Sequence, residues 1–276
     1  MTWTDRIHRL LAPSEEACLL CGRDIRRHAA PFLPVRNAGP RRALRSLCAV
    51  CLARIPWILT IACPVCGRPE RCGDCLRRWE RHFVCCRGAV RYDSAMKEWL
   101  ALYKYRGLEK LEPVFAAMLS SAVELLLNPL QGGVDVVTSV PLAEGRLEDR
   151  GFNQAERLAM RVAQWYGLPY RPLLRRTRHT EKQSFKSRRE RLDNMKGTFG
   201  LLEDGVERAV SFGPQPDGNP RLVLHYRRTP SAAAGPLRVL LVDDIYTTGS
   251  TMNECAAVLR RGYPGCEVYG VLWARS

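Results

Sequence analysis

No apolar run reaches the roughly 18 residues that a membrane-spanning helix needs. The longest candidate, Phe115 to Leu130, is broken by Ser120, Ser121 and Glu124. A Gly-Lys dipeptide is also missing, which excludes the phosphate-cradling loop of P-loop nucleotide hydrolases. The first residues carry no charged stretch followed by an apolar core. Trp3, Ile7, Leu10 and Leu11 instead keep helical spacing among polar neighbours, so no secretory leader is read and a cytoplasmic chain is expected. Aromatic residues are few, at 8%, and Trp57, Trp79 and Phe185 stand isolated among basic residues, which gives base stacking little support. Lysine is scarce as well, since all but six of the 43 basic residues are arginine.

What is present is charge and cysteine. The chain of 276 residues is 46% hydrophobic, which excludes a disordered protein, and its formal net charge is +15. Such a surplus favours polyanions, either phosphate-rich small molecules or nucleic acid. Ten of the 12 cysteines precede residue 87. Eight form C-x-x-C pairs: Cys18/Cys21, Cys48/Cys51, Cys63/Cys66 and Cys72/Cys75. Two intervening residues let both thiolates face one ion, and Gly22, Gly67 and Gly73 ease the turns. Two such knuckles complete a tetrahedral four-thiolate site, the closed geometry of structural zinc. The expected pairing places Cys18, Cys21, Cys48 and Cys51 on one ion and Cys63, Cys66, Cys72 and Cys75 on another. Spacing alone does not fix connectivity, so interleaved pairing or a single occupied site stays open. Cys85, Cys86, Cys255 and Cys266 read as core or strand residues.

Beyond Cys86 the pattern alternates. Met96, Leu100 and Tyr103 share a helical face, and a second helix runs from Val114 toward Asn128-Pro129. Val134 to Val140 reads as a buried strand, Gln154 to Tyr166 as an amphipathic helix closed by Gly167, and Leu237 to Val242 as a second buried strand. A helix over Met252 to Arg261 and a strand over Val268 to Trp273 follow. Alternation of this kind predicts an α/β fold with a parallel sheet flanked by helices.

Three segments carry chemistry. In Val239 to Thr251, a buried strand delivers Asp243 and Asp244, and a hydroxyl-rich turn then opens a helix. In an open α/β sheet that edge binds ligands. Thr247, Thr248, Ser250 and Thr251 offer amides and hydroxyls to a phosphate, while Gly249 allows close approach. The two carboxylates suit the vicinal hydroxyls of a ribose. In the second segment, Pro141 to Gln154, Arg146 and Arg150 present planar donors that suit pyrophosphate, and Asn153 reads as a helix cap. The third, Arg171 to Lys196, is strongly basic, with Arg176, Arg178, Lys182, Lys186, Arg188 and Arg189 as candidates for a flap over pyrophosphate or a track for a nucleic-acid backbone.

These motifs resemble one family in order and content. Zinc knuckles are followed by Tyr103-Lys-Tyr-Arg-Gly107, by Arg150-Gly-Phe-Asn-Gln154, by an Arg-rich segment, and by Val242-Asp-Asp-Ile-Tyr-Thr-Thr-Gly-Ser-Thr251. The last resembles the phosphoribosyl pyrophosphate motif of type I phosphoribosyltransferases, and the whole layout resembles the competence-associated ComF/ComFC proteins. The resemblance implies a zinc-ribbon region, 1–86, and a phosphoribosyltransferase-like domain, 87–276. It implies a pyrophosphate loop at Arg146 to Gln154, a flexible loop at Thr177 to Arg191 and a sugar-phosphate site at Asp243 to Thr251. Magnesium with phosphoribosyl pyrophosphate, single-stranded DNA and the DNA-uptake machinery are the implied cofactor and partners, in natural transformation. Asp243 and Asp244 would be the catalytic pair if the chain is an active phosphoribosyltransferase on an unidentified small-molecule acceptor. The stretch 203–236 departs from the family as an inserted hairpin with one strand at Arg221 to Arg228, and Ser139 stands where the family often has proline.

Overall fold

A buried β-branched run, Val-Leu-Leu-Val at 239–242, lies at the centre of the protein, because such residues pack well on a sheet covered from both sides. The computed structural model describes residues 17–25, 32–76, 80–105, 109–131, 133–177, 197–202, 209–213, 221–225 and 236–276. Three short helices lie among the cysteines: α1 (Ala38–Leu44), α2 (Ala49–Ala53) and α3 (Gly73–Leu76). Strand β1 (Cys85–Arg91) leads into α4 (Ser94–Tyr105) and α5 (Glu112–Leu127). Next come β2 (Val136–Ser139), α6 (Glu144–Arg150) and α7 (Gln154–Tyr166). Two small antiparallel pairs follow, β3 (Leu174–Arg176) with β4 (Phe199–Leu201), and β5 (Ala209–Gly213) with β6 (Arg221–His225). The chain closes with β7 (Arg238–Tyr246), α8 (Ser250–Gly262) and β8 (Glu267–Arg275).

The main sheet has the order β1-β8-β7-β2, with every pairing parallel. This is the expected α/β architecture. Alternation along β7 divides the core. Leu240 and Val242 pack with Phe115, Leu158 and Trp273 on one face, while Val239 and Leu241 pack with Cys255, Ala256 and Leu259 of α8 on the other. Phe115 of α5 stacks on Trp273 of β8 at 4.5 Å and lies 4.9 Å from Tyr103 of α4.

The cysteine region closes the free edge of β1. The amide of Ile58 donates to the Ala89 carbonyl at 2.9 Å, and that of Cys86 donates to Val65 at 2.7 Å. An edge that would otherwise expose its ladder is thereby covered. The region is anchored again where the Glu124 carboxylate of α5 accepts the amides of Arg36 and Asn37.

Two elements were not legible. The sequence Cys-Cys-Arg-Gly-Ala-Val-Arg of β1 has no clean alternation, and it is a strand because β8 and the cysteine region flank it. The polar α6 buries none of its residues, so it has no apolar stripe to betray it. Asn153 caps α7 as expected. Its side chain accepts the Ala155 amide and donates to the Val140 carbonyl, tying the end of β2 to the start of the helix.

Candidate functional site

The last pairing of β2 with β7 is Ser139 opposite Val242, closed by a bond from the Val140 amide to the Val242 carbonyl. Strand β7 runs four residues further, paired on its other side with β8. Past that point β2 leads to α7 on the Phe115 face, whereas β7 leads to α8 on the opposite face. Connections that diverge to opposite faces open a crevice at the strand ends, where α/β sheets bind ligands.

That crevice is a cleft of about 170 Å³. Its lining includes Asp243, Asp244, Arg146, Arg150, Arg176, Lys104 and Thr251. Arg146 and Arg150 stand four apart on α6, which puts both on one side of the helix. Arg150 donates to Gln154 at 2.9 Å. Arg176 lies on β3, 5.5 Å above the Phe199 ring. Burial, and then the positive charge of Arg146, draw Arg176 below the ordinary arginine value.

The carboxylates are held firmly. Asp243 accepts the Asp244 amide at 2.8 Å, and Asp244 accepts the Ile245 amide at 2.7 Å. Asp244 also pairs with Lys104 of α4, the two side chains being 24% and 12% exposed. Burial, and then the neighbouring Asp244 charge, hold Asp243 well above the ordinary carboxylate range. Burial pushes Asp244 the same way, but the Lys104 ammonium and the Ile245 amide outweigh it and leave Asp244 below that range. Two carboxylates and four cations thus line one cleft, an arrangement whose basic surplus suits an anion.

The signs set a pH dependence. Asp244, with its depressed value, contributes stability above the unfolded carboxylate pKa of about 3.9, and this is lost as pH falls through its folded value. Asp243, with its raised value, costs stability once pH climbs above the unfolded value. Replacing Lys104 with Met should move the Asp244 titration upward, which carboxyl carbon NMR reads directly.

Beside the cleft, Gly249 takes φ +75° ahead of α8. A Cβ there would lie 2.1 Å from the Tyr246 hydroxyl, so glycine is required by both conformation and space. The hydroxyls of Thr248 and Ser250 meet at 2.6 Å, Thr247 is exposed, and Gly249 and Ser250 are buried. Of this bend Thr251 lines the cleft, while Thr247, Thr248, Gly249 and Ser250, expected as binding residues, are not part of its lining. Arg178, Lys182, Lys186, Arg188 and Arg189 lie outside the described residues. Sequence reasoning missed Lys104 as a site residue. Its partner is 140 positions away, and its only signal was membership in the Tyr103 to Gly107 motif.

The eight knuckle cysteines gather into two groups: Cys18, Cys21, Cys48 and Cys51, and Cys63, Cys66, Cys72 and Cys75. Within each group the sulfur atoms lie within 4.8 Å of one another, with Cys21 and Cys48, and likewise Cys66 and Cys72, 3.5 Å apart. A tetrahedral zinc with bonds of about 2.3 Å sets its sulfurs about 3.8 Å apart, so either group could hold a zinc ion. Gly22 and Gly67 adopt positive φ at the knuckles. Gly73 does not, and begins α3 instead. The groups belong to opposite faces of the sheet, the first to the Phe115 side and the second to the α8 side. Cys86, Cys255 and Cys266 are buried in the core and Cys85 is half-buried.

No family model matches the chain. Individual proteins do. Competence protein ComFC of Streptococcus pneumoniae is 30% identical over 249 residues, 88% of this chain and 92% of that protein. Competence protein F of Haemophilus influenzae is 27% identical over 243 residues, 83% and 91% of the two chains. DNA utilization protein YhgH of Escherichia coli is 27% identical over 227 residues, 78% and 84%.

Proposed function

Because this chain belongs to the ComF/ComFC family of competence proteins, we propose that it serves the uptake or use of DNA and binds phosphoribosyl pyrophosphate in the cleft at the end of β7. The observation that carries this reading is the gathering of Asp243, Asp244, Lys104, Arg146, Arg150 and Arg176 around one small cleft. The three guanidiniums are the donors for pyrophosphate oxygens, the carboxylates are acceptors for ribose hydroxyls, and the bend from Thr247 to Thr251 is the seat of the 5-phosphate. Single-stranded DNA is the proposed macromolecular partner, on the strength of the +15 charge. A cytoplasmic location follows from the same proposal.

Magnesium fits this site only together with the ligand. Asp243 and Asp244 each accept an amide, and Asp244 also accepts Lys104, so phosphate oxygens would supply most of the coordination. Bound magnesium would neutralise pyrophosphate charge. The four-cysteine groups suit zinc as a structural ion, because every ligand position is thiolate and none is left open for chemistry.

The raised value of Asp243 favours a second reading, catalysis of phosphoribosyl transfer. The ribose C1–O bond to pyrophosphate would break with its electron pair leaving on pyrophosphate, a bond from C1 to a small-molecule acceptor would form, and the acceptor's proton would pass to the released pyrophosphate or to water.

Calorimetry with phosphoribosyl pyrophosphate and magnesium tests the binding reading. Wild type should bind, and an Asp243→Asn/Asp244→Asn variant that stays folded should bind at least about tenfold more weakly. Equal affinity in the two proteins would remove the carboxylates from the site. Release of pyrophosphate by wild type decides for catalysis, and an oligothymidylate titration at two salt concentrations tests the DNA arm, whose affinity should fall steeply with salt.

A further inference from the structure

The last residue of β8, Arg275, is a buried cation, 4% exposed. Among the described residues no Asp or Glu side chain pairs with it, and its Nε has no acceptor. One nitrogen, Nη1, donates to the carbonyls of Tyr246 at 3.0 Å and Thr247 at 3.1 Å, and also to Ser276. The other, Nη2, points at the Cys66 sulfur from 3.7 Å. The guanidinium also lies 4.4 Å over the Tyr246 ring, whose hydroxyl rests against Gly249.

A guanidinium taken out of water is costly unless acceptors and negative charge surround it. Four thiolates around a zinc dication carry a net charge of −2, so a loaded second cluster sets negative charge beside Nη2 through Cys66. The same guanidinium holds both carbonyls where β7 passes into the bend. We propose that Arg275 is a positioning residue that couples metal occupancy of the Cys63–Cys75 cluster to the shape of the bend at Thr247–Thr251. The bend keeps its phosphate-binding form only while that cluster holds its ion. This deepens the reading of the bend given above and rests on it.

The test follows zinc, backbone and ligand separately. In Arg275→Leu, native mass spectrometry with a chelator should show one of two zinc ions released at least about tenfold faster than in wild type, the usual range for losing an outer-shell partner. Hydrogen exchange of the amides from Tyr246 to Thr251 should quicken by about tenfold, while those of β2 stay protected. Affinity for phosphoribosyl pyrophosphate should fall in parallel. Arg275→Lys, which keeps the charge but loses the fork, should lie between the two. Should both variants fail to fold, chelation of wild type gives the same answer, since exchange at the bend should rise before exchange in β2. Zinc release and bend exchange unchanged in a folded variant, or a bend that responds to chelation no sooner than β2, would overturn the coupling. Absence of phosphoribosyl pyrophosphate binding in wild type, with the zinc and exchange effects intact, would leave the coupling standing and remove only the ligand assignment.

Discussion

Replacing Cys66 with serine should take zinc content from two ions per chain to one and cost on the order of 4 kcal/mol of stability. Cys66 is fully buried among Cys63, Cys72, Cys86 and the α8 side of the sheet. A structural zinc contributes its binding free energy to folding because the unfolded chain has no preformed site, and apparent values of about 10–16 kcal/mol are typical. Three thiolates and a serine retain part of this, hence the smaller expected loss. The cost should spread beyond the knuckle, because Val65 accepts the Cys86 amide and the cluster thereby braces the edge strand β1. Cys85→Ser is the matched comparison. It alters a half-buried cysteine on β1 outside both groups, so two zinc ions should remain and stability should change by about 1 kcal/mol or less. Emission spectrometry for zinc, with denaturant midpoints, reads both effects, and a Cys66→Ser protein as stable as wild type would contradict a structural role for the ion.

The other large effect is expected at α6. An Arg146→Ala/Arg150→Ala variant should bind phosphoribosyl pyrophosphate with magnesium roughly 10²- to 10⁴-fold more weakly. Each charge-assisted contact is worth about 1.5–3 kcal/mol, and a factor of ten corresponds to about 1.4 kcal/mol. The fold should tolerate the change, since α6 buries no residue and Arg146 is exposed. Arg157→Ala serves as the control. That arginine pairs with Glu109 and covers the Phe152 ring, away from the cleft lining, so affinity should hold. Inorganic pyrophosphate is a simpler probe of the same donors and should lose affinity in the same order. Equal affinity of the double variant and wild type would place the pyrophosphate elsewhere.

The legible parts of this protein are those whose signal is local. C-x-x-C places two sulfurs on one turn whatever the rest of the chain does, and the sequential grouping of Cys18 to Cys51 and of Cys63 to Cys75 matches the expected pairing. The apolar run at 239–242 reads as a strand because it is buried on both faces, and Asn153 reads as a cap because its side chain bonds two residues ahead. The register of β7 was shorter on paper than in space. Asp243 and Asp244 belong to the strand itself, since β8 continues to pair with it after β2 has stopped.

Sequence alone determined the α/β alternation, the four C-x-x-C knuckles and the acidic pair beside a hydroxyl-rich turn, all of which depend on residues a few positions apart. Tertiary structure alone decided that Lys104 meets Asp244, that Arg146 and Arg176 line one cleft, that each cysteine group braces a different side of the sheet, and that Arg275 joins Cys66 to the bend. Those contacts join residues far apart in the chain, and their partners are chosen by which strands run side by side and where each one ends. Periodicity and spacing carry no record of that choice.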